Sequence, residues 1–241
     1  MIRASSLDLL VACNGSRFLA TDAPVSERAQ AAREYGTAAH AYVEAIGDYF
    51  AEPAPVHAKL AEKLSVSQES AGELRALYTL PGTTWRELHL AYHPGTQASA
   101  VMVGGDWETM RQRFGLDWIT GTADYVVLYG DQLIVDDLKT GSLPVKPTSW
   151  QLRFYALATW LALGQPTHTL ASITRWPYYP KAGIPRRESV AYTAADHEKT
   201  AEAVRELAER PMTLSTGPQC RFCPSRHVCP ALADDLDAQQ Y

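Results

Sequence analysis

Two apolar, β-branched runs joined by Gly130 and Asp131 form the middle of the sequence, in the segment DYVVLYGDQLIVDDLK (124–139). A two-residue Gly-Asp connection between such runs is typical of a tight β-hairpin. With these two residues as the loop, Tyr129 pairs with Gln132, and the later pairs keep that register. The centre of the chain is therefore predicted to be a pair of antiparallel strands.

The same register predicts a pair of facing carboxylates. Asp124 falls directly across from Asp137 on one face of the sheet, with their Cβ atoms about 4.5–5.5 Å apart. Because strand side chains alternate, Lys139 shares the face of Asp137, while Asp136 and Leu138 point to the other face. A slip of one residue would place Asp136 on the first face instead.

Two facing carboxylates repel each other unless something compensates their charge. A divalent cation such as Mg²⁺ or Mn²⁺ is a natural compensation, because these ions prefer oxygen ligands. The neighbouring Lys139 could then orient an attacking water or neutralise charge developing on a phosphate. We expect these groups to face solvent and metal and not the core. The alternative is an edge hairpin with ordinary solvent-facing charges.

Further candidate residues lie on predicted helices. His40 closes the segment GTAAH (36–40). Gln151 and Tyr155 are four residues apart on the helix after the hairpin, so their polar ends project from one face. Each of these residues alone is equally compatible with packing or with an ordinary surface position.

The remaining pattern predicts one α+β domain over residues 1–241, with a helical N-terminal third and a central mixed sheet flanked by helices. Helical periodicity predicts five helices, over residues 7–13, 27–50, 56–78, 148–164 and 194–210. Alternating or β-rich segments predict further strands within residues 86–94, 95–107 and 167–180.

The overall charge argues against a protein that coats phosphates without specificity, because 22 Lys and Arg residues face 27 Asp and Glu residues, for a net charge of −5. The segment 140–187 nevertheless contains six basic residues and no acidic one. These are Lys146, Arg153, Arg175, Lys181, Arg186 and Arg187. This window predicts a positive face, or alternatively a core segment with solvated charges at its rim.

Apolar runs are short throughout, so no segment approaches the roughly 20 residues of a membrane helix. The first residues, MIRASSLDLLVACNGS, place Asp8 inside a short apolar stretch and lack a small-residue cleavage site. We therefore expect an intracellular, cytoplasmic protein, in a bacterial cell or a phage-infected host.

The sequence contains four cysteines, the number of ligands that one metal or cluster site needs. They are Cys13 and, in CRFCPSRHVCP (220–230), Cys220, Cys223 and Cys229. In an intracellular chain such clustering indicates a metal or cluster site more than disulfides. Pro230 after the last cysteine is typical of ferredoxin runs and favours an iron–sulfur cluster. Zinc, with His227 as a spare ligand, and unligated cysteines remain open. Either metal site would tie the first helix to the end of the chain.

Together the segments GTAAH, GTAD (121–124), IVDDLKTG (134–141) and QLRFYA (151–156) and the cysteine set resemble one protein family. This is the RecB-like branch of the PD-(D/E)XK nuclease superfamily, and within it the iron–sulfur members: the AddB nuclease domain, the CRISPR-associated adaptation nuclease and stand-alone phage exonucleases. The resemblance spans Ser5 to Pro230, with the motifs in the family's order.

The resemblance implies roles for particular residues. Metal binding is implied for His40, Asp124, Asp137 and the backbone carbonyl of Leu138. Lys139 is implied as the catalytic lysine, and Gln151 and Tyr155 as the residues that lie beside DNA and support the active site. The ligands of a 4Fe–4S cluster are implied to be Cys13, Cys220, Cys223 and Cys229. The family's fold is an α/β/α restriction-endonuclease-like core. Ala123 stands where the superfamily name has proline, and Glu87 matches an acidic position in the preceding strand.

The implied function is Mg²⁺- or Mn²⁺-dependent hydrolysis of DNA, by an exonuclease of recombination, repair or phage DNA processing. The expected partners are single-stranded DNA or duplex ends, and a second copy of the chain or a repair protein. Four aromatic residues could stack on unpaired bases or, alternatively, belong to the core: Trp150, Trp176, Tyr178 and Tyr179. The alternatives are a non-catalytic DNA-binding scaffold subunit and a redox-responsive regulator whose functional centre is the cluster.

Overall fold

The computed structural model describes residues 2–19, 27–47, 55–141, 145–176 and 184–233. The strands are β1 (Ile2–Arg3), β2 (Thr83–Tyr92), β3 (Ser99–Met102), β4 (Ile119–Tyr129), β5 (Gln132–Lys139), β6 (His168–Arg175) and β7 (Arg186–Tyr192). The helices are α1 (Leu7–Ala12), α2 (Glu27–Gly47), α3 (Pro55–Lys63), α4 (Gln68–Tyr78), α5 (Trp107–Phe114), α6 (Trp150–Ala162) and α7 (Ala194–Glu209). None of these helices is long and apolar enough to cross a membrane.

The strands form one mixed sheet of seven, in the order β3-β2-β4-β5-β6-β7, with β1 pairing beside β4. Neighbours along this order are antiparallel except β5 and β6, which run parallel. Because parallel neighbours need a crossover, α6 connects β5 to β6 across one face of the sheet. This is the predicted mixed sheet flanked by helices, consistent with a restriction-endonuclease-like fold.

Helices cover both faces of the sheet and create two apolar cores. The first core packs α1, α6 and α7 against the sheet, with Leu7, Phe154 and Leu207 fully buried. The second core packs α2 and α4 against the opposite face around Tyr78 and Trp176. Because the sheet is covered on both faces, most residues of β4, β5 and β6 are buried.

The hairpin prediction is confirmed. β4 and β5 are joined at Gly130 and Asp131, and Tyr129 pairs with Gln132 as the turn requires. The positive φ of 56° at Gly130 is one that glycine adopts without strain. The ladder keeps this register as far as the pair of Tyr125 with Asp136.

The predicted helix over 56–78 is wrong in one respect, since the structure divides it into α3 and α4. Ser65 between them has a φ of 52°, which no helix residue adopts. The Ser67 side chain accepts a hydrogen bond from the backbone N–H of Ser70 and so starts α4 anew. Three elements, β1, α5 and β7, have no counterpart among the predicted ones. The C-terminal end of the predicted helix 27–50 lies outside the described residues.

Strands β2 and β4 both lose their regular alternation at one place. Trp85 and Leu88 pack on the same core although they are three residues apart, and so do Ala123 and Val126. In a regular strand, residues on one face are separated by an even number. The irregular residues between them are Glu87 and Asp124, which face each other because the flanking pairs are Arg86 with Tyr125 and Leu88 with Ala123. This kink turns the two carboxylates away from the regular packing of both cores.

Residues from the two ends of the described chain are hydrogen bonded to each other. The side-chain amide of Asn14 donates to the carbonyl of Arg210 at 2.9 Å, and the backbone N–H of Gly15 donates to the carbonyl of Thr213 at 2.9 Å. A Cβ on Gly15 would lie 2.9 Å from that same carbonyl oxygen, so only glycine permits this approach. The segment after α1 is thereby fixed to the segment after α7.

We expect the buried His197 of α7 to make the protein less stable in acid. Its ring stacks on Trp160 with 4.6 Å between centroids, and its Nε2 has no hydrogen-bond partner among the described residues. Burial lowers the pKa of His197 from 6.5 to about 4, against a smaller opposite effect of Asp196. The unfolded chain therefore binds a proton that the fold excludes, and stability is lost as the pH falls from 6.5 towards 4.

The measurement is urea unfolding at several pH values, comparing wild type with His197→Phe, which retains the stacking. The free energy of unfolding should fall less steeply between pH 6.5 and 4.5 in the variant. His168→Phe, at an exposed position, is the control and should leave the slope unchanged. Equal slopes in wild type and His197→Phe would show that His197 is not responsible.

Candidate active site

A cluster of one imidazole and two carboxylates lies at the kink of β2 and β4. The Nδ1 atom of His40, on α2, is 3.3 Å from an Asp124 oxygen and 3.6 Å from a Glu87 oxygen. One ligand atom from each of these three residues lies within 4.8 Å of the other two. All three side chains are only partly exposed, so the cluster opens to solvent on one side. The geometry fits a single divalent cation.

The electrostatics of the cluster favour a positive charge at its centre. Burial lowers the pKa of His40, but the negative charges and hydrogen bonds of Asp124 and Glu87 outweigh this and raise it to about 10. In the metal-free protein a proton on His40 therefore balances the two carboxylates. A cation bound between the three groups would replace that proton, because an imidazole ligand must be neutral.

Glu87 was not among the predicted site residues, although its match to an acidic position in a strand had been noted. Its backbone φ is 47°, in a region that residues other than glycine, asparagine and aspartate rarely occupy. Such strain in a strand persists only where the surrounding structure imposes it, and it is concentrated at functional sites. The strained backbone directs the carboxylate towards His40 in place of a regular strand position.

Asp137 lies on β5, next to this cluster but not within it. It is only 2% exposed, so the expectation that it faces solvent is wrong. Burial and the charge of Asp124 raise its pKa to about 7, against the opposing effect of Lys139. The Lys139 ammonium is 2.5 Å from Asp137 Oδ2, so the buried carboxylate and the lysine form an ion pair.

The β4–β5 ladder ends one pair before the two aspartates. Instead of a regular pair, the Asp124 carboxylate accepts a hydrogen bond from the backbone N–H of Leu138 at 2.5 Å. The Leu138 side chain belongs to the second core, and the role expected of its carbonyl oxygen stays a prediction. Asp124 is thereby fixed across the strand end.

The other face of β5 carries Asp136, as the register predicts. This carboxylate is fully buried and accepts hydrogen bonds from Tyr78 and Thr174, each at 2.8 Å, and from Arg187 at 3.1 Å. A slipped register with Asp136 in the site is therefore excluded. Arg187 neutralises this buried acid, so it does not contribute to a positive outer face.

Helix α6 places its polar residues against Asp137. The side-chain amide of Gln151 donates to Tyr155 Oη at 2.8 Å and lies 3.4 Å from an Asp137 oxygen. Both side chains are buried, with Tyr155 only 3% exposed. The start of α6 is fixed by Asp8 of α1, whose carboxylate accepts from the backbone N–H of Trp150 at 2.9 Å. The structure therefore places Gln151 and Tyr155 on the buried side of the predicted site, next to Asp137.

Two glycines allow the close packing of these elements. A Cβ on Gly36 would lie 3.2 Å from the Thr140 hydroxyl, so α2 passes close to the end of β5 and carries His40 one turn further on. A Cβ on Gly121 would lie 2.5 Å from the Tyr155 ring and 2.8 Å from the Ala4 methyl group.

We expect Gly121→Ala to destabilise the protein by about 1–3 kcal/mol, because the added methyl group overfills a closed contact and displaces Tyr155. The check is thermal or urea unfolding. Gly72→Ala is the matched control, since nothing lies within 4 Å of a Cβ at that exposed position in α4. Because alanine favours helix more than glycine does, this control should be neutral or slightly stabilising. Unchanged stability of Gly121→Ala would contradict the close contact.

The four cysteines line one small pocket among Leu9, Leu214 and Leu232. They are Cys13, Cys220, Cys223 and Cys229, all free thiols in the described chain. The Cys13 sulfur accepts a hydrogen bond from the backbone N–H of Ser215 at 3.5 Å. His227 does not line this pocket. Within the described residues no three of the sulfurs lie within 4.8 Å of one another.

The basic window 140–187 divides between the interior and the surface. Besides Arg187, Arg175 is paired, with the exposed Glu188 at 3.2 Å. Of the aromatic candidates, Trp176 is fully buried in the second core and cannot stack on a base, whereas Trp150 is partly buried. Lys181, Tyr178 and Tyr179 lie outside the described residues.

The comparison with protein families agrees with this arrangement. The family model of the PD-(D/E)XK nuclease superfamily matches residues 3–230. A solved structure described as SSO0001 is similar over 95% of this chain and 85% of its own, with 15% sequence identity and a TM-score of 0.39. No curated protein sequence matches closely enough to count as a relative.

Proposed function

The chain belongs to the PD-(D/E)XK nuclease superfamily, and from this premise we propose that it is a Mg²⁺- or Mn²⁺-dependent deoxyribonuclease of the RecB-like, iron–sulfur branch. The observation that carries the proposal is the cluster of His40, Glu87 and Asp124 beside the buried pair of Asp137 and Lys139. We further propose that residues 1–241 form one nuclease domain, and that it is an exonuclease acting in recombination, repair or phage DNA processing.

The donor set fits a divalent metal ion. His40, Glu87 and Asp124 would hold it, and Asp137, a buried carboxylate whose pKa is raised in part by the charge of Asp124, would complete the set. When bound, such an ion supplies Lewis-acid polarisation of the phosphate and activation of a water. Because imidazole is softer than carboxylate, the set suits Mn²⁺ at least as well as Mg²⁺. We therefore expect Mn²⁺ to support cleavage at least as well as Mg²⁺.

The protein's own groups act around this position. The Lys139 side chain is partly exposed while its partner Asp137 is buried, so this ion pair lies at the boundary between the interior and solvent. There the ammonium can orient a water and neutralise the charge that develops on the phosphate oxygens. Gln151 and Tyr155 hold the Asp137 carboxylate from behind and act as positioning residues.

For the cysteine pocket we propose a 4Fe–4S cluster bound by Cys13, Cys220, Cys223 and Cys229, with zinc as the alternative. The convergence of all four thiols on one pocket supports a bound group there. His227, the spare zinc ligand, does not line this pocket.

The test is digestion of end-labelled linear DNA by protein purified without oxygen, with Mg²⁺, Mn²⁺ or EDTA. We expect cleavage that requires the metal and progresses from DNA ends, leaving closed circular DNA intact. Cleavage of closed circles would contradict the exonuclease assignment alone. If no DNA substrate is cut by protein that has its full metal content at the cysteines, the nuclease proposal is wrong and the scaffold alternative applies.

A further inference from the structure

A groove of about 720 Å³ is lined by Lys139, Gln151 and Phe222, and it shares Leu9 and Gln219 with the cysteine pocket. One wall is α1 and another is the segment leading into α6, which includes Lys146. Phe222 lies in the turn between Cys220 and Cys223. The groove therefore connects the proposed catalytic lysine to the cysteine site, two features that are distant in sequence.

The charge of the groove suits a phosphate backbone. Its basic groups are Lys139 and Lys146. Its acidic residue, Asp8, already accepts hydrogen bonds from the backbone N–H groups of Trp150 and Gln151 at the start of α6. The positive end of the helix dipole offsets this carboxylate, and Lys139 is paired with Asp137. The exposed Lys146 therefore supplies the remaining positive charge of the groove.

Phe222 is a large apolar residue that lies exposed to solvent beside positive charge. Its side chain is 60% exposed in the lining of the groove, with the Arg221 guanidinium 5.7 Å from its ring centroid. An exposed aromatic face beside cationic groups is the arrangement on which unpaired bases stack. Bases in a duplex are already stacked on each other and gain little from such a ring.

We propose that this groove binds the single-stranded DNA next to the cleaved bond, with Phe222 stacking on an unpaired base and Lys146 contacting the backbone. This inference rests on the proposed nuclease function and gives it a substrate preference. It also links the cysteine site to DNA binding, because any group bound there fixes the turn that carries Phe222.

The test is the affinity for a labelled single-stranded oligonucleotide and for the matching duplex, measured in EDTA so that no cleavage occurs. We expect Phe222→Ala to weaken single-strand binding about tenfold and duplex binding less than twofold. Phe222→Trp should restore single-strand binding. The matched control is Phe18→Ala, since Phe18 is 57% exposed and carries the Arg17 guanidinium 4.6 Å from its centroid, but lies away from this groove.

A second variant tests the groove without touching the cysteine turn. Lys146→Ala should weaken binding of both single and double strands and lower the salt dependence by about one phosphate contact, a slope change of about 0.7 on single strands. Lys199→Ala, on the exposed side of α7, should change neither. Metal content and visible absorption of each variant show that the cysteine site is intact.

The outcomes separate the two proposals. Wild-type affinity of both Phe222→Ala and Lys146→Ala for single strands overturns the groove, even if the wild-type protein cleaves DNA. Binding that depends on Phe222 and Lys146 in a protein that cleaves nothing overturns the nuclease and leaves the groove standing. A wild-type protein that prefers duplex to single strands also overturns the groove.

Discussion

Replacing Asp137 by asparagine is expected to lower the rate of metal-dependent DNA cleavage by roughly a hundredfold or more, a magnitude typical of removing one charged group that stabilises a transition state. The amide keeps the volume of the buried side chain but removes the negative charge that faces Lys139. It also removes the repulsion between Asp137 and Asp124. The metal-free variant should therefore unfold at the same or a slightly higher temperature.

The measurement is the cleavage rate of end-labelled DNA at saturating Mn²⁺, with thermal unfolding of the same preparation. Lys139→Met should lose activity to a similar extent, since it keeps the stem of the side chain without the ammonium. Asp131→Asn, in the turn of the same hairpin, is the control and should cleave at the wild-type rate. Wild-type activity in pure Asp137→Asn would overturn the assignment of this site.

Replacing Cys13 by serine is expected to cause the second large effect: loss of the iron, sulfide and visible absorption of the proposed cluster, and a fall of the unfolding temperature by roughly 10 °C or more. Cys13 comes from the first helical segment and Cys220, Cys223 and Cys229 from the end of the chain. A group bound by all four would close a loop of about 200 residues, which restricts the unfolded chain. Activity should fall as a consequence of unfolding.

Metal analysis of protein purified without oxygen decides the identity of the group. His227→Ala is the control, because it alters a potential zinc ligand outside the pocket and should leave metal content and stability unchanged. One zinc and no iron in the wild type would replace the cluster by a zinc site. No metal at all would leave these cysteines as ordinary buried or surface thiols.

The hairpin could be predicted because its signal is local: Gly130 and Asp131 specify the turn, and the turn specifies the register. The residues that the register pairs, Tyr129 with Gln132, are paired in the structure. The kink at Glu87 could not be predicted, since a strained backbone in a strand results from packing on both sides and not from local preference. Only the acidic side chain within an apolar strand pointed to this residue.

The burial of Asp137 was also beyond the sequence pattern. Alternation tells which face of β5 a side chain lies on, but not that α6 covers that face with Gln151 and Tyr155. Strand β7 was missed for a related reason. Its sequence, RRESVAY, is charged and mostly solvent-exposed as an outer strand, and its Arg187 is buried only because it meets Asp136.

The contacts between the two ends of the chain set an order of assembly during synthesis. Asn14 and its partner Arg210 are 196 residues apart, so at a ribosomal rate of about 5–20 residues per second the first segment waits about 10 to 40 s for its partner. During that interval Leu7 and Leu10, which the finished first core buries, lack α7 and its neighbours. Such long-range contacts give the fold a high contact order and slow its completion. The segment around Asn14 is therefore made long before Arg210 but reaches its final place only after it.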